Sequence, residues 1–311
     1  MSPVQAEERS EISEGLFRVQ HHPDAEAMAR ASLQVMQDAL VEFDAYLPAG
    51  ETPIYVVIAH TLEEFAEYGG WVDQVSVSGM AFSGEGLIVV KSPRLRMAGD
   101  DYIGTLRHEL VHILLYRNVE VDFLPRWLNE GIAMSLAGDY RWGSTFGVAR
   151  MYLANRLIPY PDLDRTFARR GHDGRFGDAY AQALSMTRFL RRELGDELFW
   201  EVVLATAEMP FGEALREIAG FSALEFWQRY ERSLWVYTLG GIFSSGTVFV
   251  PAAFLVVVVW WKKQLQNRKV LARWEAEDAA LEAGPDMLTW DELAEDPEAW
   301  KMGTEYEEED R

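Results

Sequence analysis

Apolar residues recur near helical spacing at Met28, Ala31, Leu33, Met36, Leu40 and Phe43, which predicts a helix from Asp24, a suitable N-cap, to about Tyr46. Leu16 to Gln20 reads as a short strand ahead of it. Pro53 then opens a β-rich run, Ile54 to Ala59. Thr61, with Glu64 three residues on, has the form of a capping box for a short helix to Tyr68. Two more strands are expected at Val77 to Phe82 and Leu87 to Lys91, joined by Ser83-Gly84-Glu85-Gly86, a composition that suits a hairpin. From there the pattern turns helical. Asp100 and Asp101 begin a helix to about Tyr116, with acidic residues at its positive end. Pro125, at N1 behind Asp122, opens another that ends at Gly138. Further helices are expected at Phe146 to Asn155, Ala179 to Arg192, Leu198 to Ala207 and Ala223 to Leu234. Strands first and helices afterwards point to an α+β domain rather than a parallel α/β sheet.

The pattern changes again at Ser233. An uncharged run from there to Trp261 exceeds the roughly 20 residues that span a hydrocarbon core as a helix. Trp235, Tyr237, Trp260 and Trp261 lie near its ends, where an aromatic belt belongs, and Gly240, Gly241, Ser244 and Ser245 offer small-residue spacing for helix packing. Residues 233–261 are therefore expected to form one transmembrane helix in contact with a lipid bilayer. Lys262, Lys263, Arg268, Lys269 and Arg273 outweigh Arg229 and Arg232 on the other flank, which would make the tail cytoplasmic and the large domain extracytoplasmic. The organisation expected is a polar segment at 1–15, a folded domain at 16–232, the membrane helix, and a basic then acidic tail at 262–311. No signal peptide is visible in the opening residues, so this placement implies an export signal that was removed or misassigned.

Composition narrows the function. A net charge of −21 argues against a phosphate-seeking surface and so against nucleic acid as a partner. Cysteine is absent, which excludes disulfides and Cys-based metal sites. The acidic tail, with Trp274, Trp290 and Trp300, offers a possible docking segment for a cytoplasmic partner, although a solvated tail has the same composition.

The chemistry is concentrated at His108-Glu109-Leu110-Val111-His112, an HExxH motif. Residues four apart share a helix face, so one zinc ion can accept both imidazoles. Glu109 can reach water at the metal's open position, accept its proton and pass it to a leaving amine. A catalytic zinc needs a third protein ligand. Glu130, in Trp127-Leu128-Asn129-Glu130-Gly131, lies on the next helix, and Gly131 and Ala133 are small enough for close approach. One zinc per chain follows. His21, His22 and His60 read as structural or surface residues.

The segments HELVHILL and LPRWLNEGIA resemble the gluzincin metallopeptidases, in particular the peptidase MA-like group, and the resemblance extends from about Leu16 to Arg232. It implies a zincin-like α+β domain, a small mixed sheet with active-site helices and a helical C-terminal half, that hydrolyses peptide bonds. His108, His112 and Glu130 would be the ligands and Glu109 the base. The family's oxyanion-stabilising Tyr or His has Tyr180 as its candidate here, with His172 as runner-up. The family's substrate-pairing edge strand would place Gly79, Met80 and Ala81 along the cleft. One position departs. Thermolysin-like relatives carry an Asp one turn after the third ligand to orient a zinc-bound His, and here that position is Met134, which leaves Asn129 or Asp139 to supply the role.

The expected function is a membrane-anchored zinc metallopeptidase acting on peptide or protein substrates. The alternative is a catalytically silent adaptor on the same scaffold, recruiting membrane or cytoplasmic partners, but such a descendant commonly loses Glu109 or a ligand and this chain retains all of them. An intramembrane protease fits less well, because Asp100, Asp101, Arg107 and Arg117 bracket the motif helix.

Overall fold

A computed structural model describes residues 9–69, 77–96, 100–138, 145–168, 176–244 and 256–268, with 271 and 274. The chain divides into two units, Met1–Gly246 and Thr247–Arg311. The first begins with strand β1 (Ser10–Glu14), followed by β2 (Phe17–His21), helix α1 (Glu26–Phe43), β3 (Ile54–Ala59), α2 (Leu62–Glu67), β4 (Gly79–Phe82) and β5 (Leu87–Lys91). Helices α3 (Tyr102–Asn118), α4 (Arg126–Ala137), α5 (Thr145–Leu153), α6 (Tyr160–Ala168), α7 (Phe176–Ala205), α8 (Phe211–Ala219) and α9 (Ala223–Ser244) follow.

The strands form one five-stranded mixed sheet in the order β1-β2-β3-β5-β4. Its three central strands run parallel, and β1 and β4 lie antiparallel at the edges. This corrects the expected strand-then-helix α+β class to a mixed α/β domain. Parallel neighbours cannot be joined by a tight turn, so α1 carries the chain from β2 to β3, and α2 lies on the route from β3 to the β4–β5 hairpin. One face of the sheet, through Val19, Val56, Ile58, Ile88 and Val90, joins a core shared with α1 and α3, while Val57, Ala59 and Val89 pack on Phe65 of α2.

The hairpin turns through a 3-10 turn at Ser83–Glu85 and Gly86, whose φ of 64 suits glycine. Thr61 caps α2 by accepting from the Glu64 N–H, and the Glu64 carboxylate accepts from the His60 N–H. Helix α7 is broken at Gly195, whose φ/ψ of 75 and 167 are not helical, so the two helices expected on either side meet there.

The expected transmembrane helix is not found: among the described residues, no helix is long and apolar enough to cross a membrane. The first half of α9 is amphipathic. It buries Phe226, Tyr230 and Leu234 in the core and carries Glu225, Arg229, Glu231 and Arg232. The next helical residues, 256–268, include Lys262, Lys263 and Arg268, and residues 245–255 lie outside the described part. The single-pass placement, with an extracytoplasmic domain and a cytoplasmic tail, rested on that span and is not supported by the described residues.

Candidate metal centre

Helix α3 begins where Asp101 accepts from the Gly104 N–H at 2.8 Å, a side-chain N-cap. It is buried on nearly every side, through Leu106, Leu110, Val111, Ile113, Leu114 and Leu115, so the position of His108 and His112 is fixed by the core itself. Helix α4 starts differently. Its N-cap residue is Pro125, which supplies no capping side chain, and the Trp127 N–H instead donates to Asp164 Oδ1 on α6 at 3.0 Å. The helix ends at Gly138 in the left-handed conformation.

Between these helices, one ligand atom each from His108, His112 and Glu130 lies within 4.8 Å of the others, a group close enough to hold a metal ion. The two imidazole Nε2 atoms are 3.1 Å apart, and Glu130 Oε2 stands 3.4 Å from His108 Nε2 and 3.7 Å from His112 Nε2. Oε2 is buried with no hydrogen-bond partner among the described residues. Such an atom carries a desolvation penalty unless something electropositive sits beside it, so the donor set fits a cation. His112 Nδ1 lies 2.6 Å from Asn129 Oδ1; with that amide oxygen accepting, the ring proton sits on Nδ1 and the Nε2 lone pair faces the centre. Of the two residues expected to orient a ligand, Asn129 lies within hydrogen-bonding distance of His112, and Asp139 lies outside the described residues.

Glu130 is brought in by the packing of α4 on α7. Tyr180, Ala183 and Thr187 form one stripe of α7 at helical spacing. A Cβ on Gly131 would collide with Thr187 Oγ1 and come within 2.8 Å of the Ala183 carbonyl, so only glycine permits this approach. At the near end of the stripe, the Tyr180 hydroxyl donates to the Glu130 carboxylate. Burial raises Glu130, but His112, His108 and Tyr180 outweigh it and hold the carboxyl below its ordinary range. Tyr180 is pushed well above the usual phenol value by burial and by the charges of Glu130 and Glu109, so it remains a neutral donor.

Glu109 is buried beside the triad, against β4 at the sheet edge. Its carboxyl is pushed up to about 7 by burial; His112 lowers it, Glu130 raises it, and the Ala81 N–H and Arg96 lower it. Gly79 lets the strand come this close, since a Cβ there would lie 3.0 Å from Glu109 Oε1. The Lys91 N–H bonds to the Ser78 carbonyl at 3.0 Å, and antiparallel pairing alternates, so Met80 faces β5 while the main-chain groups of Gly79 and Ala81 face the free edge. Of the three residues expected along a cleft, Gly79 and Ala81 therefore present main-chain groups to the free edge of β4, and the Met80 side chain packs on the α2 side of the sheet.

His172 lies outside the described residues. His22 and His60 stack with centroids 4.2 Å apart, away from the triad, and His21 is buried. Two supporting residues escaped the sequence reading. Asp164 caps α4 from a distance, and the only signal for it was Pro125, an N-cap with no acceptor of its own. Arg96, whose side chain is almost fully buried, donates to Thr105 Oγ1 at 2.6 Å one turn before Glu109, and nothing in the sequence pointed to it.

A scan against protein-family models returns no match for this chain, and a search of curated proteins returns none.

Proposed function

We propose that this chain is a zinc-dependent metallopeptidase of the gluzincin type, with His108, His112 and Glu130 as ligands and Glu109 as general base. The observation that carries this reading is the position of Glu109, a buried carboxylate beside a His-His-Glu group and under the free edge of β4. His108, His112 and Glu130 would hold a zinc ion, which would supply a Lewis acid to acidify water and polarise a carbonyl. Glu109 takes the proton of the attacking water and returns it to the leaving nitrogen as the C–N bond breaks. An extended peptide pairs with Gly79 and Ala81 along β4, which places its backbone over Glu109. Tyr180, whose single O–H is given to the Glu130 carboxylate, turns that donor to the negative charge that develops on the carbonyl oxygen. The adaptor reading has no observation of its own in its favour.

The test uses the full chain. Wild type is expected to bind about one zinc, Glu130→Ala to bind it at least tenfold more weakly, and Glu109→Gln to bind zinc but lose peptidase activity by orders of magnitude. Folded wild-type protein that takes up no zinc, or a Glu109→Gln variant with full activity, would refute the assignment.

A further inference from the structure

We propose that Arg96 is a positioning residue for the substrate strand. Its buried guanidinium ties together the start of β4 and the turn of α3 on which β4 rests, and so sets how far a peptide on the free edge stands from Glu109. The inference deepens the peptidase reading above and rests on it. Thr105 lies one turn before Glu109 on the same face of α3. Both side chains meet the strand at one residue, since a Cβ on Gly79 would lie 2.7 Å from Thr105 Cγ2 and 3.1 Å from Glu109 Cγ. The stand-off of Gly79 therefore depends on which way the Thr105 methyl points. A helical threonine has two side-chain rotamers open to it. Here the hydroxyl decides between them, because it donates to the Asp101 carbonyl at 2.8 Å and accepts from Arg96 Nη2 at 2.6 Å.

The other arm of the guanidinium reaches towards the strand itself. Arg96 Nε stands 3.7 Å from Asp100 Oδ2, and the same oxygen accepts from the hydroxyl of Ser78 at 2.8 Å. Ser78 is the residue immediately before β4, and its carbonyl accepts from the Lys91 N–H, so the strand enters the sheet pinned at side chain and main chain together. A planar fork of donors can serve Thr105 and Asp100 at once, whereas a point charge cannot.

Arg96→Lys in the full chain tests this, because an ammonium holds one of the two anchors and releases the other. Thr105→Val, which keeps the shape of the side chain and removes its hydroxyl, is the second variant. The Ala81 N–H, which donates to Glu109, should exchange with solvent at least tenfold faster in each variant than in wild type, while the amides of β3 keep their protection. In the zinc-loaded chain, kcat/KM for a quenched-fluorescence pool of random peptides about ten residues long, enough to pair along β4, should fall at least tenfold. For a pool about three residues long it should change less than threefold, whereas general damage to the fold would lower both pools together. Unchanged Ala81 exchange in a folded variant would overturn the proposal, as would equal losses on the two pools. If Arg96→Lys does not fold, Thr105→Val decides alone. Wild type that binds zinc and cleaves neither pool would instead defeat the peptidase reading, and this proposal with it.

Discussion

Helices α3 and α4 supply the centre between them, but they are held in different ways. Helix α3 carries its own cap, Asp101, and is surrounded by core, so His108, Glu109 and His112 are placed by the segment that encodes them. Helix α4 borrows its support. Asp164 of α6 caps its first turn, and α7 receives Gly131 and binds Glu130 through Tyr180. The two carboxylates differ in the same sense, since burial dominates at Glu109 and raises it, whereas neighbouring histidines and Tyr180 dominate at Glu130 and lower it. In the proposed mechanism, opposed shifts of this kind separate the proton-transfer group from the ionised ligand. A site built this way should fail from the α4 side by displacement and from the α3 side by chemistry.

The largest effect is expected where α4 meets α7. Gly131→Val places branched bulk against Thr187 and the Ala183 carbonyl and should cost roughly 3 kcal/mol or more of stability, because a packed backbone contact cannot relax by rotating a side chain. Zinc affinity should fall with it, as Glu130 moves with the helix. Thr187→Ala in the same chain should recover only part of the loss. Urea unfolding of the single and double variants measures both, and a Gly131→Val chain as stable as wild type would show that α4 is not held by this contact.

The next effect separates the two carboxylates by pH. The folded-state pKa of Glu109, about 7, lies above its ordinary value of 4.5, so its ionised form opposes folding. In the metal-free chain this group's favourable contribution is fully present below about pH 4.5 and is lost as pH rises through about 7. Glu109→Gln should therefore be more stable than wild type at pH 8 by on the order of 2 kcal/mol, with the difference vanishing near pH 4. Glu130 has the opposite sign, since its lowered pKa gives stability that is present above the unfolded value and lost on acidification. A Glu109→Gln difference that does not change with pH would remove the contrast.

The difference between the helices also governs what could be read in the sequence. Helix α3, its two histidines and Glu109 were legible because ligand spacing, acidic start and apolar flanks all lie in one segment. Strand β3 and the β4–β5 hairpin were legible for the same local reason. What depended on distant residues was not. Strand β1, Ser-Glu-Ile-Ser-Glu, is mostly exposed at the sheet edge and shows only Ile12 as an inward residue, so no apolar alternation marks it. Helix α6 has no counterpart among the expected helices, and it carries Pro161 and two aspartates early in its run, which weaken a helical pattern. The parallel centre of the sheet was hidden because strand direction is set by where α1 and α2 carry the chain, not by strand composition. The apolar stretch after Arg232 reads as one span, whereas the first half of α9 packs into the domain through Phe226, Tyr230 and Leu234.

The smallest effect is the sharpest test of borrowed against intrinsic support, because it compares two aspartates doing the same local work. Asp101→Ala removes the cap of α3 and Asp164→Ala the cap of α4, and each should cost about 1–2 kcal/mol of stability. Their effects on metal binding should diverge. Beyond its first turn α3 is gripped by the core, so the loss at Asp101 stays at that turn, and zinc affinity measured at a temperature where both variants are folded should change less than threefold. Helix α4 begins only one turn before Asn129 and Glu130, so a loosened start displaces the partner of His112 and a member of the proposed metal triad, and affinity should fall about tenfold. Asp164→Asn, which keeps an amide oxygen for the Trp127 N–H, should restore most of that affinity. If the two alanine variants weaken zinc equally, α4 owes its position to α7 alone and the cap from α6 is only a matter of stability.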